Sequence, residues 1–185
     1  MTTERYKVIG GQQIIEIKVN EAQQLFDMRD PAPFREKDLD DNFRGYLEAY
    51  LDEISTRYPL KIRIYITKRS AKISKAVIEQ AVHDYFKYQI EIKQGQLRKN
   101  LKTAQLFLGI GISILFGCLG LAQWVRDVKF AVFGTTLREG VVIFGWVSMW
   151  KPLELLMFDW YPIYDRIRLY RRVVEAEIQV EFGVE

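Results

Sequence analysis

Residues 104–125 read AQLFLGIGISILFGCLGLAQWV, and no charged side chain interrupts them. A helix rises about 1.5 Å per residue, so the stretch spans roughly 33 Å, the thickness of a bilayer's hydrocarbon core. A helix buried in a soluble domain seldom runs so far without a charge, and the stretch reads as a transmembrane helix. It begins deep in the chain, and no basic-then-apolar segment stands at Met1, which separates it from a secretory signal.

A second apolar run, 140–163, reads GVVIFGWVSMWKPLELLMFDWYPI and carries Lys151, Glu154 and Asp159. Asp159 sits beside Trp160 and Tyr161, a composition typical of the membrane–water boundary. Pro152 has no amide to donate to the Ser148 carbonyl, so a helix here is expected to kink at Pro152. A spanning helix is the expectation, and a re-entrant or interfacial pair broken at Pro152 is the alternative.

The flanking charges orient such a hairpin. Lys93, Arg98, Lys99 and Lys102 precede the first run, and Arg166, Arg168, Arg171 and Arg172 follow the second. Arg126, Lys129 and Arg138 lie between. The positive-inside bias then puts both termini in the cytoplasm and only the loop 126–139 outside.

The rest of the chain patterns as a soluble α+β domain. Ile15, Ile17 and Val19 alternate with Glu16 and Lys18, a half-buried strand. Gly10-Gly11 suggests a turn back to a short strand over residues 6–9, and Asn20 can cap a helical turn reaching Leu25. Pro31 and Pro33 mark a loop; Asp38 then looks like an N-cap, with Asp40 and Asp41 in the first turn of a helix near 39–56. In that helix Leu39, Phe43, Tyr46, Leu47, Tyr50, Leu51 and Ile54 recur at three- and four-residue spacing. Ile62, Ile64 and Ile66 alternate with Arg63 and Tyr65 in the strongest strand pattern of the chain. Ser70 can cap a helix near 71–94 that runs on toward the first span, Gly95 being its weakest point. Val174, Ala176, Ile178, Val180 and Phe182 alternate with glutamates, which oppose Lys18, Lys61 and Arg63 of the other strands. Opposite charges across strands each add a few tenths of a kcal/mol, so the C-terminal strand is expected in the same sheet.

The expected fold is therefore a membrane α+β protein, with two transmembrane helices in a hairpin and a small cytosolic α+β domain. Its expected organisation is a cytosolic part over 1–100, spans over 104–125 and 140–163, an outer loop over 126–139, and a basic segment plus strand over 164–185.

Composition limits the chemistry. Of 185 residues one is His and one is Cys, against 27 Lys+Arg and 24 Asp+Glu. That scarcity excludes a disulfide framework and a Cys-based zinc site within one chain, and argues against a Ser-His-Asp hydrolase. A net charge of +3 over the whole chain gives no case for nucleic acid. No Walker loop, GxGxxG, HExxH, GxSxG or CxxC is present. No cofactor and no metal is expected. Asp30, Asp38, Asp40 and Asp41, near Arg29 and Arg35, are better read as capping groups than as a cation site. His83 reads as solvated or sheet-packed and Cys118 as a small packing residue.

Three sets of residues stand out. Gly109, Ser113, Gly117 and Gly120 form a small-residue stripe suited to close helix packing. Lys151 and Glu154 share a helix face and flank the Pro152 kink; they can pair, line a path, or snorkel to the interface. Arg166, Arg168, Arg171 and Arg172 can hold anionic lipid headgroups. The expected function is a non-enzymatic, self-associating two-pass protein of a cell membrane, of the bacterial inner-membrane kind. It would serve as a scaffold or docking platform for a cytosolic protein partner. The alternative is an oligomeric ion channel or transporter with Lys151 and Glu154 near its path.

Overall fold

The structure, a computed structural model, describes residues 8–34, 36–68, 73–125 and 131–183. The chain forms two compact units, Met1–Ile92 with Arg166–Glu185, and Lys93–Asp165. Tyr6, Arg35 and Ser70, which the sequence assigned to a strand, a loop and a cap, lie outside the described residues.

The first unit is built on a mixed four-stranded sheet in the order β1-β2-β3-β4. β1 (Val8–Ile9) turns antiparallel into β2 (Gln12–Glu21). The turn residues Gly10 and Gly11 both have positive φ, 61° and 78°, which a tight hairpin of this hand requires and glycine adopts without strain. β2 pairs parallel with β3 (Leu60–Lys68), and β3 pairs parallel with β4 (Glu177–Phe182). The C-terminal strand thus joins the sheet of the N-terminal strands. In its register Lys61 faces Glu177, and their side chains meet at 3.1 Å.

Parallel neighbours need a crossover. Between β2 and β3 it is α1 (Asp41–Glu53). Between β3 and β4 it comprises α2 (Lys75–Val125), α3 (Ala131–Ser148), α4 (Trp150–Met157) and α5 (Tyr161–Val174). The second unit is therefore an insertion within one strand-to-strand crossover.

The core follows the alternation of the strands. Ile15 and Ile17 of β2, Ile62, Ile64 and Ile66 of β3, and Ile178 and Val180 of β4 are buried. They form one cluster with Phe43, Leu47 and Leu51 of α1, Ile78, Val82 and Phe86 of α2, and Tyr170 and Val173 of α5. The other side of the strands carries charge: Arg63 lies 3.7 Å from Glu16, and the Tyr65 hydroxyl donates to Glu16 at 3.2 Å. Polar contacts clasp the helices. Tyr170 donates to Glu48 at 2.7 Å, Arg166 forks onto Asp52 with two bonds of 2.9 Å, and the Phe86 and Tyr170 rings meet edge to face at 5.3 Å.

Three local expectations change. Asp40, not Asp38, caps α1, accepting from the amides of Asn42 and Phe43. Asp38 is held one step earlier: its carbonyl takes the Asp27 amide at 2.8 Å while Leu39 bridges Phe26, so the chain is still extended there. Glu21, not Asn20, starts the 3-10 turn Ala22–Leu25, in a capping box with Gln24. The Asn20 amide donates to the Gln24 side chain instead. Gly95 does not break α2. A glycine costs about 1 kcal/mol in a helix interior, which the continuous hydrogen-bond ladder on both sides outweighs.

In the second unit α3 is helical from Ala131, so residues 131–139 of the segment read as a loop over 126–139 are helix, while 126–130, with Arg126 and Lys129, lie outside the described residues. The apolar segment 140–163 covers the end of α3, all of α4 and the start of α5. The interruption falls at Met149, whose amide donates to Trp146 O at 3.1 Å rather than one residue further back. Pro152 follows, where the Ser148 carbonyl loses its normal donor. Two helical stretches, Lys75–Trp124 and Thr135–Val174, contain apolar windows long enough to cross a membrane, with mean hydropathy 2.0 and 1.4.

Burial, and next the hydrogen bond to Glu48, push the Tyr170 hydroxyl above the usual tyrosine range. Folding thus favours its neutral form, and that stabilisation is complete below pH ~10 and lost as pH rises through the shifted value. Tyr170→Phe should cost about 1–2 kcal/mol at pH 8, and its deficit relative to wild type should shrink above pH 10. Thermal unfolding of the full chain followed by circular dichroism at pH 8 and pH 11 measures both.

Candidate functional site

The small-residue stripe and the helix contact inside the chain are different surfaces. Gly109, Gly117 and Gly120 are exposed, and a Cβ added at any of them would meet nothing within 4 Å. Ser113 is also exposed and returns its hydroxyl to Gly109 O at 2.8 Å. The close approach falls on Gly111 and Gly145, both buried. A Cβ on Gly111 would lie 3.1 Å from Met149 Sδ, 3.2 Å from Pro152 Cγ and 3.3 Å from Ser148 O. One on Gly145 would lie 3.0 Å from Cys118 Cβ and 3.1 Å from Leu115 Cδ1.

The α2 face that is turned inward carries Ala104, Gly111, Cys118 and Ala122. Three of these recur every seven residues, a period that keeps small side chains on one helix face. Gly145 and Ser148 of α3 and Pro152 of α4 oppose it, at spacings of three and four. Those two spacings were the sequence signal for the contact. The stripe expected from 109, 113 and 117 lies away from it.

Pro152 is buried, and the break beside it brings the free Ser148 carbonyl and the Met149 side chain against Gly111. Lys151 and Glu154 are on the other side of α4. Their side chains meet at 3.0 Å with exposures of 64% and 43%. The pair closes within one helix turn and bonds no second helix among the described residues.

The four arginines of α5 divide by role. Arg166 is held by Asp52. Arg172 donates through Nη2 to Ser55 O at 2.9 Å and Tyr58 O at 3.2 Å. Burial, then the neighbouring Arg168 charge, lower its proton affinity. Arg168 and Arg171 are exposed, and no carboxylate of the described residues lies within ion-pair distance of either. Arg171 and Arg172 also stand in the last turn of α5, where cations complement the helix dipole.

The remaining candidates are occupied by structure. Asp30 takes the amides of Ala32 and Asp38 and is held below the usual carboxylate range by them, while Lys37 Nζ bonds its carbonyl. The Arg29 side chain and amide lower Asp27 to about 2. Asp41 pairs with Arg44 at 2.8 Å. His83 Nε2 lies 3.2 Å from Ala176 O, joining α2 to the approach of β4. Among the described residues no three His, Cys, Asp or Glu side chains gather as metal ligands would. A recess of about 1000 Å³ lies between the end of β2 and the start of α1, with Asn20, Glu21, Phe26, Asp27 and Arg29 on its walls. A smaller cavity of about 440 Å³ collects Thr56, Arg57, Tyr58, Arg168, Arg172 and Glu175. Arg57 was not singled out by the sequence, since only the fold brings the α1–β3 connection to α5.

Comparison with known protein families, with curated proteins and with solved structures finds no match to this chain.

Gly145→Leu should destabilise the second unit by about 1–3 kcal/mol through overpacking against Cys118 and Leu115. Gly95→Ala, in open space within a helix, should instead stabilise by about 0.5–1 kcal/mol. Melting temperatures of the two variants in one detergent should move in opposite directions from wild type.

Proposed function

We propose that this chain is a two-pass integral membrane protein that self-associates. It serves as a non-enzymatic scaffold or docking platform, with its sheet-bearing unit and both termini in the cytoplasm. The observation that supports this most is where the apolar side chains point. Phe116, Trp124, Trp146 and Trp150 are 68%, 73%, 65% and 76% exposed. Only 17% and 11% of the two apolar windows is buried within the protein. A core helix of a soluble domain buries such side chains; a helix facing lipid does not. Trp160, Tyr161 and Tyr164 stack edge to face next to Arg166 and Arg168 in sequence, as an interfacial belt followed by basic residues would.

Within this proposal the exposed stripe Gly109, Ser113, Gly117 and Gly120 is the contact between copies, because the hairpin's own packing uses Gly111 and Gly145. Lys151 and Glu154 neutralise each other, which lowers the cost of holding charge near lipid. Arg168 and Arg171 contact anionic lipids, at about 1 kcal/mol each.

The protein should stay with membranes through an alkaline carbonate wash, and release by that wash would sink the membrane assignment. In mild detergent its mass should be that of an oligomer. Gly109→Leu with Gly117→Leu should reduce that mass to the monomer without lowering the melting temperature of the chain. Lys151→Met with Glu154→Leu should leave the oligomer intact. Ion flux in liposomes that this double change abolishes would favour a channel instead.

A further inference from the structure

We propose that the cavity formed by Arg57, Arg168 and Arg172 is a binding site for a phosphate group, carried either by a small phosphoanion or by a phosphomonoester lipid headgroup. The site lies wholly in the sheet-bearing unit, so it does not depend on the membrane assignment. Three arginines line a space of about 440 Å³, large enough for a phosphate and its first waters. Arg172 is fixed there by the carbonyls of Ser55 and Tyr58, and both of those bonds use Nη2. Its Nη1 is buried without a hydrogen-bond partner among the described residues. A buried N–H of a cation left unpaired costs about 1–3 kcal/mol or more.

The electrostatics point the same way. The Arg168 charge opposes that of Arg172, and neither Arg57 nor Arg168 has a carboxylate of the described residues within ion-pair distance. An anion between them would relieve the repulsion and accept bidentate hydrogen bonds from planar forks, the geometry arginine offers phosphate. Two features oppose an anion. Glu175 lines the same cavity, and the carbonyl end of α5 contributes about half a negative charge. Three positive charges outweigh them. A dianion gains more from the site than chloride does, which selects phosphate over monovalent ions. Thr56 adds a hydroxyl on the wall.

The test uses the purified full chain. Its melting temperature is followed while inorganic phosphate is titrated against chloride of equal ionic strength. Nanodiscs of phosphatidylcholine containing phosphatidic acid are compared with nanodiscs containing phosphatidylserine at equal lipid charge. Saturable stabilisation by phosphate over chloride is expected if a small phosphoanion suffices. Preference for phosphatidic acid with no response to free phosphate identifies the headgroup as the source. Either effect should weaken about tenfold in apparent affinity in Arg57→Ala and in Arg168→Ala, and strengthen in Glu175→Gln. Lys18→Ala, an exposed cation outside the cavity, should behave as wild type. Arg172 is left unchanged because it also holds the 55–58 turn. The proposal is overturned if neither phosphate source is preferred, or if Arg57→Ala and Arg168→Ala respond as wild type does. A chain released from membranes by carbonate that still binds phosphate would discard the membrane assignment and keep this site.

Discussion

The parallel pairing of β3 with β4 is the constraint on which the rest of the molecule depends. Two parallel neighbours cannot be joined by a turn; the chain must leave and come back to start at the same end. Between Lys68 and Glu177 it does so through α2, α3, α4 and α5. Only the first part of α2 and the last part of α5 belong to the sheet-bearing unit. The intervening residues can be long and apolar without disturbing the sheet, because the unit asks only that α5 return. What enforces the return is local to that unit: Val173 and Tyr170 in the core, Tyr170 on Glu48, and Arg166 on Asp52. Both polar ties join α5 to a residue more than a hundred positions earlier in the chain.

The sheet is unusual in how it divides its faces. Parallel sheets are generally covered on both sides and read as continuous apolar runs. Here the strands alternate, with isoleucines on one side and Glu16, Arg63, Glu177 and Gln179 on the other. One layer of helices, drawn from α1, α2 and α5, covers the apolar side. The charged side is stabilised by ladder pairs such as Lys61–Glu177 and Arg63–Glu16, each worth a few tenths of a kcal/mol. Hydrophobic burial on the inner face stabilises the sheet far more, by about 1.5–3 kcal/mol for each large side chain.

Much of this was legible in the residues themselves. The isoleucine alternation at 62–66 and 15–17 marked the strands, and of the cations expected opposite the C-terminal glutamates Lys61 meets one, Glu177, while Arg63 pairs with Glu16. The 3.6-residue recurrence through Phe43, Leu47 and Leu51 marked α1 and its buried face. The strand direction was not legible, because alternation fits a one-sided sheet of either sense. Nor was the cap of α1, since Asp38, Asp40 and Asp41 are all competent. Tertiary contact decided between them: the Phe26–Leu39 bridge keeps the chain extended for two further residues. For the helix contact the sequence reading named one small-residue face on α2 and the structure uses another. A spacing of four drew attention to Gly109, whereas the contact follows the spacing of seven through Gly111 and Cys118. Which face a helix turns inward depends on its partner, and the partner's Gly145 and Pro152 lie in another helix. The cavity arginine from the 55–58 turn was invisible for the same reason. It lies far in sequence from Arg168 and Arg172 and meets them only through the fold.

Splitting one sheet around an inserted helical unit also orders events in time. The partners Lys61 and Glu177 are 116 residues apart. During synthesis β3 is finished while β4, α5 and the whole insertion are still unmade, so one edge of the central strand has no neighbour for that interval. An unpaired edge with buried-type isoleucines is a template for wrong pairing. The sheet can close only after the apolar helices have been made and the chain has emerged from them. A chain interrupted within the insertion therefore carries an unfinished sheet as well as unfinished helices. Both faults appear together in the same molecule, and the edge of β3 that Glu177–Phe182 would cover is the part left open.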